Sequence, residues 1–200
     1  MAADAPIAGL ILAGGQSTRM RRDKATLLID GETQLARAAR LLSPYVTQSY
    51  VSVRQDQTTE PERARFPQII DQLSDIGPAA GILAAQHTRP DHAWLVVAVD
   101  LPLLDQSTLA YLLAHRDKSK LATAFKSSSD GLPEPLCAVW EPSSHMALAD
   151  FLKHGRSCPR KFLLSHAIAL LDLPRSDALH NVNTPAEYAE LTQPTLSAHP

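Results

Sequence analysis

Cysteine is scarce: Cys137 and Cys158 are the only two in 200 residues, and they form no metal-ligand spacing. A domain of this length also needs no disulfide staple. The eight histidines are scattered, without a His-x-x-x-His pair, so a histidine metal centre is not expected. Long apolar runs are missing too, and none approaches the roughly 18 residues of a membrane span. Residues 1–6 lack the basic start and apolar core of a secretory signal. Charge of one sign is absent, since 19 Lys and Arg against 21 Asp and Glu leave a formal net charge of −2. That balance gives no overall attraction to nucleic acid or to an anionic membrane. The expectation is a cytoplasmic protein with neither partner.

What the chain does have is a 44% hydrophobic content, enough for one ordinary core, and short apolar runs that alternate with helix-period stretches. Strands are expected at 7–12, 49–53, 67–71, 93–100, 121–125, 135–140 and 167–173. Helices are expected at 34–42, 77–87, 105–116 and 143–155, with a last one after Pro185. The run "AWLVVAVD" (93–100) is nearly continuous apolar, as in a central strand covered on both faces. This β-α-β-α rhythm predicts a single α/β domain over 1–191, a mostly parallel Rossmann-like sheet with helices on both faces. Residues 192–200 read as a frayed tail.

Open parallel sheets bind ligands beyond the carboxyl ends of their strands. The first strand runs out in "LILAGGQSTRMRRDK" (10–24), two glycines followed by hydroxyl and basic side chains. Glycines there let backbone N–H groups approach phosphate oxygens, and Ser17, Thr18, Arg19 and Lys24 add donors and charge. The stretch fits neither the P-loop nor the Gly-x-Gly-x-x-Gly pattern, so a simple tight turn is the competing reading. Asp100 ends an apolar strand, either as a cap or salt-bridge partner or as a Mg²⁺ ligand. Asp71 ends another, either as a nucleotide contact or as a cap for the helix near Gly77.

"LAGGQSTRMRRDKATL" resembles the signature loop of the molybdenum cofactor guanylyltransferase family. "DQLSDIGPAAGI" (71–82), "VDLPLL" (99–104), "PEPLCAVW" (133–140) and "NVNTPAEY" (181–188) are similar to its later blocks, in order and spacing, over about residues 7–191. The resemblance implies a fold of the nucleotide-diphospho-sugar transferase type. It also implies transfer of GMP from GTP to the terminal phosphate of molybdenum-bound molybdopterin, with release of pyrophosphate. On the same grounds Leu12, Ala13 and Gly14 would contact the nucleotide, with Gly15, Ser17 and Arg19 in the phosphate loop. Lys24 would meet the phosphates and act in catalysis with Arg19 and Asp100. Ser52 and Asp71 would hold the nucleotide, Asp100 would ligate Mg²⁺, and Asn181 and Asn183 would lie on the pterin side. Asn183 is also a second metal-ligand candidate by resemblance to sugar nucleotidyltransferases. GTP and molybdopterin are the implied partners, with transient contact to other molybdenum cofactor proteins.

The chain departs from the family at Arg21, where the signature has glycine. If that glycine has positive φ, arginine costs on the order of 1 kcal/mol or more. Otherwise Arg21 is a further phosphate-facing cation or a solvated side chain. The rival functions are cytidylyl or other nucleotidyl transfer on the same fold, and a nucleotide-binding module without catalysis.

Overall fold

The structure, a computed structural model, describes residues 5–13, 23–71, 73, 76–182 and 187–189. Gly14, Gly15, Ser17, Arg19, Arg21, Asn183 and the expected tail lie outside the described residues, as does most of the expected helix after Pro185.

Strand β1 (Ile7–Leu12) leads through Leu28–Ile29 (β2) and Glu32–Thr33 (β3) into α1 (Gln34–Leu42). β2 and β3 form a small antiparallel hairpin closed by Asp30 and Gly31, both at positive φ (52° and 81°). Such a turn matches the natural strand twist, and glycine adopts it without steric cost. The chain continues through β4 (Ser49–Val53), β5 (Gln68–Ile70), α2 (Pro78–Thr88), β6 (Ala93–Ala98) and α3 (Gln106–Ala114). It closes with β7 (Ala122–Lys126), β8 (Pro133–Trp140), α4 (Ser144–Lys153), α5 (Pro159–Leu164) and β9 (Ala169–Leu171).

Seven strands form one sheet in the order β5-β4-β1-β6-β8-β7-β9. β4, β1 and β6 run parallel, as do β4 with β5 and β7 with β9. β8 alone lies antiparallel to both its neighbours. The expected mostly parallel sheet is therefore present, with one reversed strand. The seven expected strands and the four helices expected before Pro185 occur to within a few residues, whereas α5 and the hairpin come in addition.

Side-chain alternation divides the core into two. Leu95 and Val97 of β6 pack with Leu35 and Leu42 of α1 and Leu109 and Leu112 of α3. Trp94 and Val96 face the other way, against Ile82 of α2, Leu148 of α4 and Phe162 of α5. All six residues of β6 are buried, as a strand between two helical layers requires.

From β1 the chain moves outward through β4 to β5. It then returns by α2 to place β6 on the opposite side of β1. The strand order thus reverses between β1 and β6, the place where open α/β sheets form a ligand crevice beyond the carboxyl ends of their strands.

Candidate active site

Leu12 and Ala13 end β1 at this crevice, and Ala98 ends β6 beside it. Past the glycine segment, Asp23 caps a short 3₁₀ turn at 24–26, its Oδ1 accepting from the Ala25 N–H at 3.0 Å. That turn presents Lys24. Its Nζ donates to Asp100 Oδ2 at 2.8 Å, and the two side chains are 18% and 20% exposed. The two residues expected to handle phosphate and metal, 76 positions apart, thus meet at the switch point.

The loop carrying Asp100 is held from two directions. Arg37 of α1 donates to the carbonyls of Leu101 at 3.4 Å and Leu104 at 2.6 Å. The Val182 N–H donates to the Asp100 carbonyl at 3.3 Å, which brings Asn181 to the site from the far end of the chain.

On the β4 side, the buried Ser52 donates to Asp71 Oδ1 at 2.8 Å. Asp71 caps no helix. The residue before α2 is Gly77, at φ 71°, and it makes no side-chain capping bond. Gly81 of α2 packs against this pair: a Cβ there would lie 2.4 Å from Ser52 Oγ and 3.2 Å from Asp71 Oδ1. Only glycine lets the helix come so close. A glycine inside a helical pattern was the sequence signal for that approach.

Burial raises the Asp71 pKa above the usual carboxylate range, and the Ser52 hydrogen bond and the charge of Arg54 only partly offset it. The folded protein therefore binds a proton at Asp71 more readily than the unfolded chain. The resulting stability is fully present below the unfolded value near pH 4 and is lost as pH rises through the folded one. At neutral pH the ionised Asp71 weakens the fold. Asp71→Asn is accordingly expected to raise Tm at pH 7, with the difference vanishing as pH falls toward 4. Thermal unfolding across that range checks it.

On the other side of β1 from β4 and β5, a cleft of about 240 Å³ takes Leu101, the neighbour of Asp100, into its wall. Ala98, Leu101, Leu136 and Asn181 line it, with Glu134 and Arg160 at its polar side. Arg160 donates to Asp130 at 3.0 Å and to Glu134 at 2.9 Å. Cys137 is buried among these residues and Cys158 is exposed, and both thiols are free. Burial pushes the Cys137 thiol up to about 12, so it stays protonated.

One residue of this region was not anticipated. Arg63, 1% exposed, donates to the Ala13 carbonyl and ion-pairs with Asp23 and Glu60. Burial opposes ionisation of Asp23, but the bonds from Arg63 and Ala25 and the nearby arginine charges outweigh it. The carboxyl is held below its ordinary range. Nothing in "TEPERARFP" distinguishes Arg63 from its solvated neighbours, because a charge run normally reads as an exposed face.

A sheet covered on both faces by helices, with a cation, two carboxylates and a cleft beyond its strand ends, defines an open α/β protein with a candidate ligand site at that edge. Comparison with known proteins narrows this. The family described as MobA-like NTP transferase domain matches residues 9–169, and the chain belongs to that family of nucleotidyltransferases. The molybdenum cofactor guanylyltransferase of Rhizobium meliloti is 34% identical over 89% of this chain and 87% of its own length. A molybdenum cofactor biosynthesis bifunctional protein of Synechocystis is 29% identical over 93% of this chain, which spans 54% of that longer protein. The crystal structure of molybdopterin-guanine dinucleotide biosynthesis protein A from Archaeoglobus fulgidus shares the fold, with a TM-score of 0.75. It is 21% identical and covers 92% of this chain and 96% of its own. Among the described residues, no helix is long and apolar enough to cross a membrane.

Proposed function

We propose that the chain transfers the guanylyl group of GTP to the terminal phosphate of molybdopterin in the cytoplasm. An oxygen of that phosphate bonds to the α-phosphorus, the bond to the bridging oxygen of the β-phosphate breaks, and pyrophosphate leaves. The observation that carries the reading is the Lys24–Asp100 pair, set between Ser52 and Asp71 on one side and the cleft on the other.

An acceptor phosphate is already anionic and needs no general base. The protein's task is to bring two anions together and to offset the charge growing on the leaving pyrophosphate. Lys24, with Arg19, supplies cations for this. Ser52 and Asp71 hold the nucleoside, and the cleft bordered by Asn181 receives the acceptor. Glycines 14 and 15 and Ser17 add phosphate donors.

The residues fit a magnesium ion. Asp100 offers a part-exposed carboxylate just beyond the end of β6. Magnesium favours such a site, taking one or two carboxylates and completing its shell with water and phosphate oxygens. Asp100 would hold it, with Asn183 as a second ligand. The ion would neutralise phosphate charge.

Calorimetry with GTP, CTP, ATP and UTP, each with and without Mg²⁺, followed by a pyrophosphate-release assay with molybdopterin, tests the proposal. A Mg²⁺-dependent preference for GTP and pyrophosphate release are expected. Preference for CTP would overturn the base assignment, and GTP binding without release would overturn the catalysis.

A further inference from the structure

Arg63 sits in a charge-rich excursion between β4 and β5, where its neighbour Arg65 has a side chain 62% exposed. Arg63 itself is 1% exposed, although burying a guanidinium is costly unless its donors are matched. The two terminal nitrogens are matched, by the local Glu60 and by groups from across the fold, while Nε has no hydrogen-bond partner among the described residues. One terminal nitrogen pairs with Asp23 and Glu60. The other donates to the Ala13 carbonyl and, at 2.9 Å, to Asp23 Oδ1.

These contacts have a shared geometry. Ala13 is the last residue before the glycine segment, and Asp23 is the first described residue after it. A single planar group therefore grips both feet of that segment. Asp23 also accepts from the Ala25 N–H, so the same carboxylate carries the hold into the turn that presents Lys24. A continuous set of bonds runs from Arg63 through Asp23 and its turn to Lys24 and Asp100.

We infer that Arg63 is a positioning residue for the reaction: it fixes the separation of Ala13 and Asp23 and, through Asp23, the place of Lys24 at the crevice. The inference rests on the reading of Lys24 as a triphosphate contact. Only arginine serves, because a lysine is a point charge and lacks the rigid fork that reaches a carbonyl and a carboxylate together. The two carboxylates are part-exposed, 34% at Asp23 and 40% at Glu60. Water can therefore solvate them once the guanidinium is gone, and the expected damage is local.

The test uses Arg63→Lys, Asp23→Asn and the double variant, with Arg65→Ala as a control. Misplacing a group by about 1 Å costs up to about 100-fold, so each single variant is expected to lower kcat/KM for GTP by roughly 10- to 100-fold. The double variant is expected to lose no more than the worse single one, since both cut the same link. Arg65→Ala is expected to match the wild type. Kinetic constants of folded Arg63→Lys within twofold of the wild type, or losses that multiply in the double variant, would overturn the inference.

Amide hydrogen exchange on the ligand-free protein is the second measurement. Arg63→Lys is expected to speed exchange at Ala25 at least about tenfold while leaving β6 amides unchanged. Equal acceleration at both would mean a purely global loss of stability, and no change at Ala25 would mean no anchor. Because this readout needs no nucleotide, it decides on the anchor even where the wild type fails to bind GTP, a result that would count against the guanylyl reading alone.

Discussion

Asp100→Ala is expected to lower turnover by about three orders of magnitude or more while leaving the protein folded. The carboxylate lies two residues past a strand whose six residues are all buried, yet is itself 20% exposed with Lys24 as partner. Its removal costs the fold little only because the Lys24 ammonium, on a flexible stem and itself 18% exposed, can turn to water once the carboxylate is gone. The loop that carries it stays tied by Arg37 and by the Val182 N–H, neither of which uses the Asp100 side chain. Loss of Mg²⁺-dependent pyrophosphate release together with a Tm near that of the wild type is the expected pair of results. A variant with full activity would remove Asp100 from the metal site. A variant that unfolds would show that the carboxylate serves the fold instead.

Lys24→Ala is expected to weaken GTP binding by roughly 10- to 100-fold, the loss of one charge-assisted contact to phosphate. The same change is expected to act in the opposite direction on a metal ion in the absence of nucleotide. Lys24 Nζ lies 2.8 Å from Asp100 Oδ2, so its positive charge opposes a second cation at that carboxylate. Without it the free carboxylate should bind Mn²⁺, a paramagnetic stand-in for Mg²⁺, more tightly. Calorimetry for GTP and electron paramagnetic resonance for Mn²⁺ separate the two effects. Unchanged GTP affinity would sink the phosphate role, and weaker Mn²⁺ binding would sink the shared site.

These two residues and Asp71 could be picked out in the sequence because each stands directly after a readable element. Asp100 follows an apolar run that can only be a covered strand, Asp71 follows another, and Lys24 follows the glycine segment. The turn at Asp30-Gly31 also carried its signal locally, but apolar periodicity does not show it. Ser52 is different. Its type says little, and its bond to Asp71 exists because β4 and β5 are neighbours and because Gly81 lets α2 close over both.

Composition and periodicity alone determined the layered α/β fold, the order of its elements and the end of the sheet at which the proposed site lies. Those properties depend on residues a few positions apart, where apolar spacing, capping and turn geometry act. The reversal of β8, the burial of Arg63 and the meeting of Lys24 with Asp100 were decided only by the tertiary structure. Besides the local Glu60, Arg63 finds acceptors 40 and 50 residues away, and Lys24 a partner 76 away. A charged side chain is exposed or buried according to whether such distant groups can satisfy it, and local sequence holds no record of them.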